Sequence, residues 1–201
     1  MDFIDDIAAL EAIYGAPSTP ALVKVARRMT PEYRAWIAES RFCVLSTVGP
    51  GGADGSPRGD DGPVVVELDP GTLAMPDWRG NNRMDSLRNI VADGRVALMF
   101  MVEGSDIVVR VNGRARVTTD EVLRSRLAGG RTLPRSVIVI AIEEVYFQCA
   151  RAIKRAGLWS GRDRSAEVPS AGAILAAMSD GAEGGAAFDE AWSGRAAVTM
   201  W

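Results

Sequence analysis

The chain contains no histidine. That absence removes the Ser–His and Cys–His nucleophile systems, together with the commonest protein ligands of metals and haem. Cysteine is scarce as well: Cys43 and Cys149 are the only two, with no C-x-x-C spacing, which argues against a disulfide framework and a thiolate zinc site. Two free, buried thiols are expected. Lysine is reduced to Lys24 and Lys154, so the positive charge is almost all arginine. A net charge of −3 leaves no electrostatic footprint for nucleic acid or an anionic membrane, although clustered arginines can still build a local anion site. The longest apolar runs, Val96 to Val102 and Val137 to Ile142, fall well short of the roughly 20 residues a membrane-spanning helix needs. The opening Met1-Asp2-Phe3-Ile4-Asp5-Asp6 is acidic where an export signal is basic, which predicts a cytoplasmic protein.

What is present suffices for one good core: 201 residues, 47% of them hydrophobic. Phe3, Ile7, Leu10 and Tyr14 recur at helical spacing, and Ser18-Thr19-Pro20 and Thr30-Pro31-Glu32 are further helix starts. The first forty residues are therefore expected to form a helical arm. Strands are predicted at Phe42 to Val48, Val64 to Leu68, Thr72 to Met75, Val96 to Val102, Ile107 to Thr118 and Ser136 to Phe147. In the fifth of these, Val109, Val111, Ala115 and Val117 alternate with Arg110, Asn112, Arg114 and Arg116. The Gly/Asp/Pro-rich stretch Gly49 to Gly62 reads as a loop, and Asp69-Pro70-Gly71 as a hairpin turn. Asn82 to Val91 reads as a helix with Asn82 as its cap and Asp85 as the acidic partner of a capping box. Short helices are expected near Asp120 to Leu127, Ala150 to Arg155 and after Pro169. Six strands without β-α-β alternation predict a mainly β, α+β fold: a six-stranded antiparallel barrel with peripheral helices. Residues 41–160 would form it and 161–201 a C-terminal extension. The stretch Ser179 to Gly194, rich in Gly, Ala, Asp and Glu, is compatible with disorder or with wrapping a partner subunit.

The most informative segment is Met75-Pro76-Asp77-Trp78-Arg79-Gly80-Asn81-Asn82-Arg83-Met84-Asp85. It puts Arg79 and Arg83 at the start of a helix, where free N–H groups and the helix dipole favour an anion and arginine can add paired bonds to phosphate. The same residues have a purely structural reading, with Asn82 capping the helix and the arginines pairing with Asp77 or Asp85 on a solvated face. Spacing alone does not separate the two. Other tempting signals are set aside: Arg58-Gly59-Asp60 as an integrin tripeptide, Gly49 to Gly62 as a phosphate loop, and the pairs Asp60-Asp61 and Glu143-Glu144, whose carboxylates would point to opposite faces of a strand.

Strand, then Pro-Asp-x-Arg-Gly-Asn-Asn-Arg, then a helix ending in Leu87-Arg88-Asn89, then Val96-Ala97-Leu98-Met99-Phe100, resembles the flavin-binding core of the pyridoxamine 5'-phosphate oxidase-like split-barrel family. Ser56-Pro57-Arg58-Gly59-Asp60 and Val109-Arg110-Val111-Asn112-Gly113-Arg114-Ala115 extend the likeness, which runs from about Thr30 to Trp159. The resemblance implies a split barrel binding FMN. Arg58, Arg79, Asn82 and Arg83 would surround the phosphate. Met75, Pro76 and Asp77 would run past the ribityl chain and ring, with Gly59 and Asp60 nearby. It also implies a homodimer with the flavin at the interface, so that Arg110, Lys154 or Trp159 could reach in from the second subunit. Two departures matter. The lysine that commonly follows the family's helix-start arginine is absent, and the C-terminal Arg-Leu-x-x-Arg substrate segment is matched only loosely by Leu158-Trp159-Ser160-Gly161-Arg162-Asp163-Arg164. FMN binding is therefore expected without the vitamin B6 substrate site.

The resulting expectation is an FMN-dependent oxidoreductase on a small organic molecule, the flavin supplying the redox chemistry that a histidine-free chain does not. The alternatives are a deazaflavin-dependent reductase and a non-catalytic flavin- or haem-binding module for storage or sensing.

Overall fold

The computed structural model describes residues 1–200. Three short helices lead in: α1 (Ile7–Tyr14), α2 (Thr19–Val23) and α3 (Pro31–Ala38). Asp6 caps α1 by accepting from the Ala9 N–H at 2.8 Å, and Thr30 caps α3, with Pro31 at the first helical position where no N–H is needed. None of the described helices is long and apolar enough to cross a membrane.

Seven strands follow: β1 (Phe42–Gly49), β2 (Gly52–Gly59), β3 (Val66–Asp69), β4 (Thr72–Asp77), β5 (Arg95–Met101), β6 (Val108–Thr118) and β7 (Ser136–Gln148). They form one sheet in the order β2-β1-β5-β6-β7-β4-β3, and every pairing is antiparallel. Between them lie α4 (Asp85–Ala92) and α5 (Glu121–Ala128), and after them α6 (Arg151–Ala156), α7 (Ala171–Met178), α8 (Gly185–Glu190) and α9 (Trp192–Thr199). The expected antiparallel barrel is present with one strand more than predicted. Gly52–Gly59 has the composition of a loop, yet it pairs residue for residue with β1. As an edge strand it has no second neighbour, so Pro57 breaks no ladder. The described residues from Ser179 onward carry α8 and α9.

The inward faces of β1, β4, β5, β6 and β7 merge into one core around Leu45, Leu73, Leu98, Phe100, Val111 and Ile140, which requires the sheet to curl on itself. Met29 and Ile37, from the segment around α3, are buried in the same core. Strand β4 is buried on both faces. Leu73 and Met75 point into the core, while Ala74 packs outward beneath Leu127 of α5, beside Val137.

One irregularity sets the register of the longest pairing. Asn112 faces Glu144 but Gly113 faces Ile142, so Glu143 is an extra residue in β7. The parity of buried positions changes there: Ile138, Ile140 and Ile142 precede the bulge, and Val145 follows it. Gly113 makes the close approach possible, because a Cβ there would lie 2.1 Å from the Ala141 carbonyl oxygen. Gly113→Ala must displace the backbone of β7. It should cost about 1 to 3 kcal/mol of stability and lower Tm by several degrees in a thermal melt, whereas an unchanged Tm would contradict the assigned register.

Candidate functional site

Strands β2 and β4 are not hydrogen-bonded neighbours; they approach each other only because the sheet curls. Side chains bridge the seam between them. Arg58 at the end of β2 donates through Nη1 to Asp77 Oδ1 at the end of β4, 2.5 Å away. One step along, Trp78 Nε1 donates to Asp60 Oδ2 at 2.8 Å, and Arg131 Nη1 donates to Asp60 Oδ1 and Asp61 Oδ1 at 2.7 Å each. Arg131 also lies over the Trp78 ring, 4.6 Å from its centroid. Burial pushes the Asp60 carboxyl up, but the bonds from Arg131 and Trp78, with those at Asp61 and Gly62, outweigh it and hold the group below its ordinary value. Asp60 and Asp61 do not point to opposite faces, because they lie past the end of β2, where the chain bends and both carboxylates converge on one guanidinium.

Along this seam runs an open cleft of about 1690 Å³, well above the roughly 300 to 1000 Å³ of pockets for drug-sized ligands. Its walls are the β2 segment through Asp61, the run Pro76 to Leu87, Arg135 and Ser136, and residues of α9. Arg58, Gly59, Asp60, Pro76, Asp77, Arg79, Asn82 and Arg83 all line it. Met75 does not: its side chain is 1% exposed and belongs to the core, as the inward alternation of β4 dictates.

The expected capping box does not form. The residue before α4 is Met84, with no side-chain cap, because the backbone turns left-handed at both Asn82 (φ 63°) and Met84 (φ 59°). Positive φ at non-glycine residues is strained and concentrates at functional sites. Asn82, freed from capping, accepts from Arg135 Nη1, and the Arg83 N–H is held by Asn81 Oδ1 at 3.1 Å. Arg83 pairs with Asp85, as the structural reading expected, with its side chain 80% exposed. Helix α4 is aimed at the cleft by two anchors: Ser86 Oγ donates to Asp54 Oδ2, and Asn89 Nδ2 donates to Thr47 Oγ1.

The clearest sign of an unfilled requirement is Arg58. Its Nε is buried without any acceptor, although its Nη1 is satisfied by Asp77. A buried nitrogen donor without a partner is costly.

Arg110, Lys154 and Trp159 do not line this chain's cleft. Arg110 lies against Tyr146 and Gln148, Lys154 pairs with Asp106 at 3.2 Å, and Trp159 Nε1 donates to the Ser105 carbonyl at 2.7 Å. Sequence reasoning missed Arg135, Trp78 with Arg131, and the α9 residues. Arg135 follows from the pairing of Asp77 with Ser136, a register that no local pattern announces.

The cysteines differ from expectation in one respect: both are free, but Cys149 is exposed. Burial pushes the Cys43 thiol up to about 12, despite the opposing charge of Arg58. A thiol-reactive chromogenic reagent should therefore titrate one thiol per native chain and two in denaturant. Two fast thiols in the native protein would contradict the buried position of β1.

A curled antiparallel sheet with an arginine-lined cleft along its open seam is the architecture of a split barrel. The family model described as pyridoxamine 5'-phosphate oxidase matches residues 29–149, more than half of the chain, and the protein belongs to that family. Among solved structures, a variant of HupZ from Group A Streptococcus shares 19% identity at a TM-score of 0.50, covering 59% of this chain and 98% of its own. A candidate pyridoxamine 5'-phosphate oxidase of Lactobacillus delbrueckii shares 24% identity at 0.48, covering 60% and 95%. General stress protein 26 of Bacillus anthracis shares 16% at 0.42, covering 57% and 88%. No curated protein matches the chain.

Proposed function

We propose that the seam cleft binds FMN, its phosphate held by Arg58, Arg79, Asn82 and Arg83, and that the protein is an FMN-dependent oxidoreductase acting on a small organic molecule. The observation that carries this reading is that one cleft gathers Arg58, Arg79, Asn82 and Arg83 beside the uncapped start of α4. Guanidinium N–H groups on the cleft wall would hold phosphate oxygens through charge-assisted bonds. The left-handed turns at Asn82 and Met84 support it, since they leave the first N–H groups of α4 without a side-chain cap at the cleft. Family membership supports the choice of a flavin over another anion.

FMN, when bound, supplies hydride and electron transfer, so a protein without histidine needs no nucleophile system of its own. The chain's residues anchor and orient. In this reading Arg58 couples the phosphate to Asp77, and Pro76 and Asp77 line the path of the ribityl chain. Gly59 leaves space on the β2 wall, where even a Cβ would meet nothing nearer than 3.7 Å. Asp60 acts at one remove, fixing Trp78 and Arg131 at the edge of the cleft. The protein is not proposed as an oxidase of vitamin B6, because the family's lysine is missing and its C-terminal Arg-Leu-x-x-Arg segment is matched only loosely by Leu158 to Arg164. A homodimer is proposed on the exposed apolar surface of the N-terminal arm, where Phe3, Ile7, Ile13 and Tyr14 are each more than 60% exposed.

Arg58→Ala should weaken FMN binding about ten- to a hundredfold, the worth of one charge-assisted bond of roughly 1.5 to 3 kcal/mol. Arg58 also clasps the seam, so Arg83→Ala, at an exposed position, provides a second variant that leaves the fold undisturbed. FMN titration of both, with a thermal melt of each, checks the proposal. Wild-type affinity in both variants would remove the phosphate site.

A further inference from the structure

The C-terminal helix α9 has a place in the cleft that the family match does not cover, since that match ends at residue 149. Trp192, Arg195, Ala196, Thr199 and Met200 line the same cleft as Arg58 and Asn82. Their spacing of three and four residues is one continuous face of an α-helix. Trp192 and Met200 remain 61% and 55% exposed, so this face roofs the cleft without being packed into it.

The roof rests on a built support. Helices α7 and α8 are fastened by Asp189, which accepts from Ser170 Oγ at 2.6 Å and from the Gly172 N–H at 2.8 Å. They meet at two glycines: a Cβ on Gly172 would lie 2.3 Å from the Gly185 carbonyl oxygen, and one on Gly184 would lie 2.4 Å from that of Gly172. Helix α9 is then tied to α8 by Arg195, whose Nη2 donates to the Phe188 carbonyl at 2.9 Å while the guanidinium lies over the Phe188 ring. The same guanidinium stands 5.9 Å from the centroid of the Trp192 ring, one turn earlier. Arg195 thus stands beside the indole of Trp192, which lines the cleft and remains 61% exposed.

We propose that α9 is a lid of the cleft supplied by the same chain, with Trp192 stacking on the planar ring of a bound aromatic monophosphate and slowing its escape. The proposal rests on the FMN reading. Its test is the rate of FMN release from the full-length protein, together with the fluorescence of the bound flavin, which a stacked indole quenches.

Trp192→Ala should release FMN about tenfold faster, the scale of one lost ring-on-ring contact, and should raise bound-flavin fluorescence. Trp192→Phe should restore most of the slow release, because it keeps an aromatic face. If wild type and Trp192→Ala bind FMN with equal release rates and equal fluorescence, the lid is overturned and the flavin reading stands. If the wild type takes up no FMN, both are overturned.

Discussion

The sheet of this protein closes through side chains rather than through its backbone ladder, and the site depends on that. Strands β2 and β4 lie far apart in strand order, with four strands between them. What joins their ends is the Arg58–Asp77 pair and the Asp60–Trp78–Arg131 cluster. Backbone pairing would have filled the seam with satisfied amide groups. Ion pairs leave spare donors instead, because a guanidinium carries five N–H groups and Asp77 uses only part of that capacity. The buried Nε of Arg58 is what remains over. Arg58 is therefore at once a clasp of the seam and part of the cleft wall.

The strained loop follows from the same constraint. Helix α4 is pinned over β1 and β2 by Asn89 and Ser86, while Asp77 is fixed by its pairing with β7. The few residues between must turn sharply, and they do so at Asn82 and Met84. Asn82 then serves Arg135 instead of the helix, which leaves the start of α4 uncapped and facing the cleft.

The strands that alternate or carry long apolar runs were legible in the sequence: β1, β5, β6 and β7 lie within a residue or two of their expected bounds. Strand β2 was not, since glycine, proline and aspartate predict a loop and only the partner strand and edge position override them. The motif from Pro76 to Arg83 was legible as the mark of the family. Its geometry was not, because a capping box and a left-handed turn share the same residues and are separated only by tertiary anchors. Met75 illustrates the same limit, since adjacency in sequence to Pro76 and Asp77 says nothing about the face its side chain takes. The contribution of α9 was invisible for a different reason: it arises from the folding back of a tail whose composition suits disorder equally well.

Whether the seam between β2 and β4 is a flavin mononucleotide site is tested most directly by the visible absorption spectrum of the protein as purified, combined with the mass of the ligand released on denaturation. A flavin spectrum and the mass of FMN are the predicted result. A colourless protein that also takes up no added FMN would contradict it, and the arginines of the cleft would then serve only to hold the barrel closed.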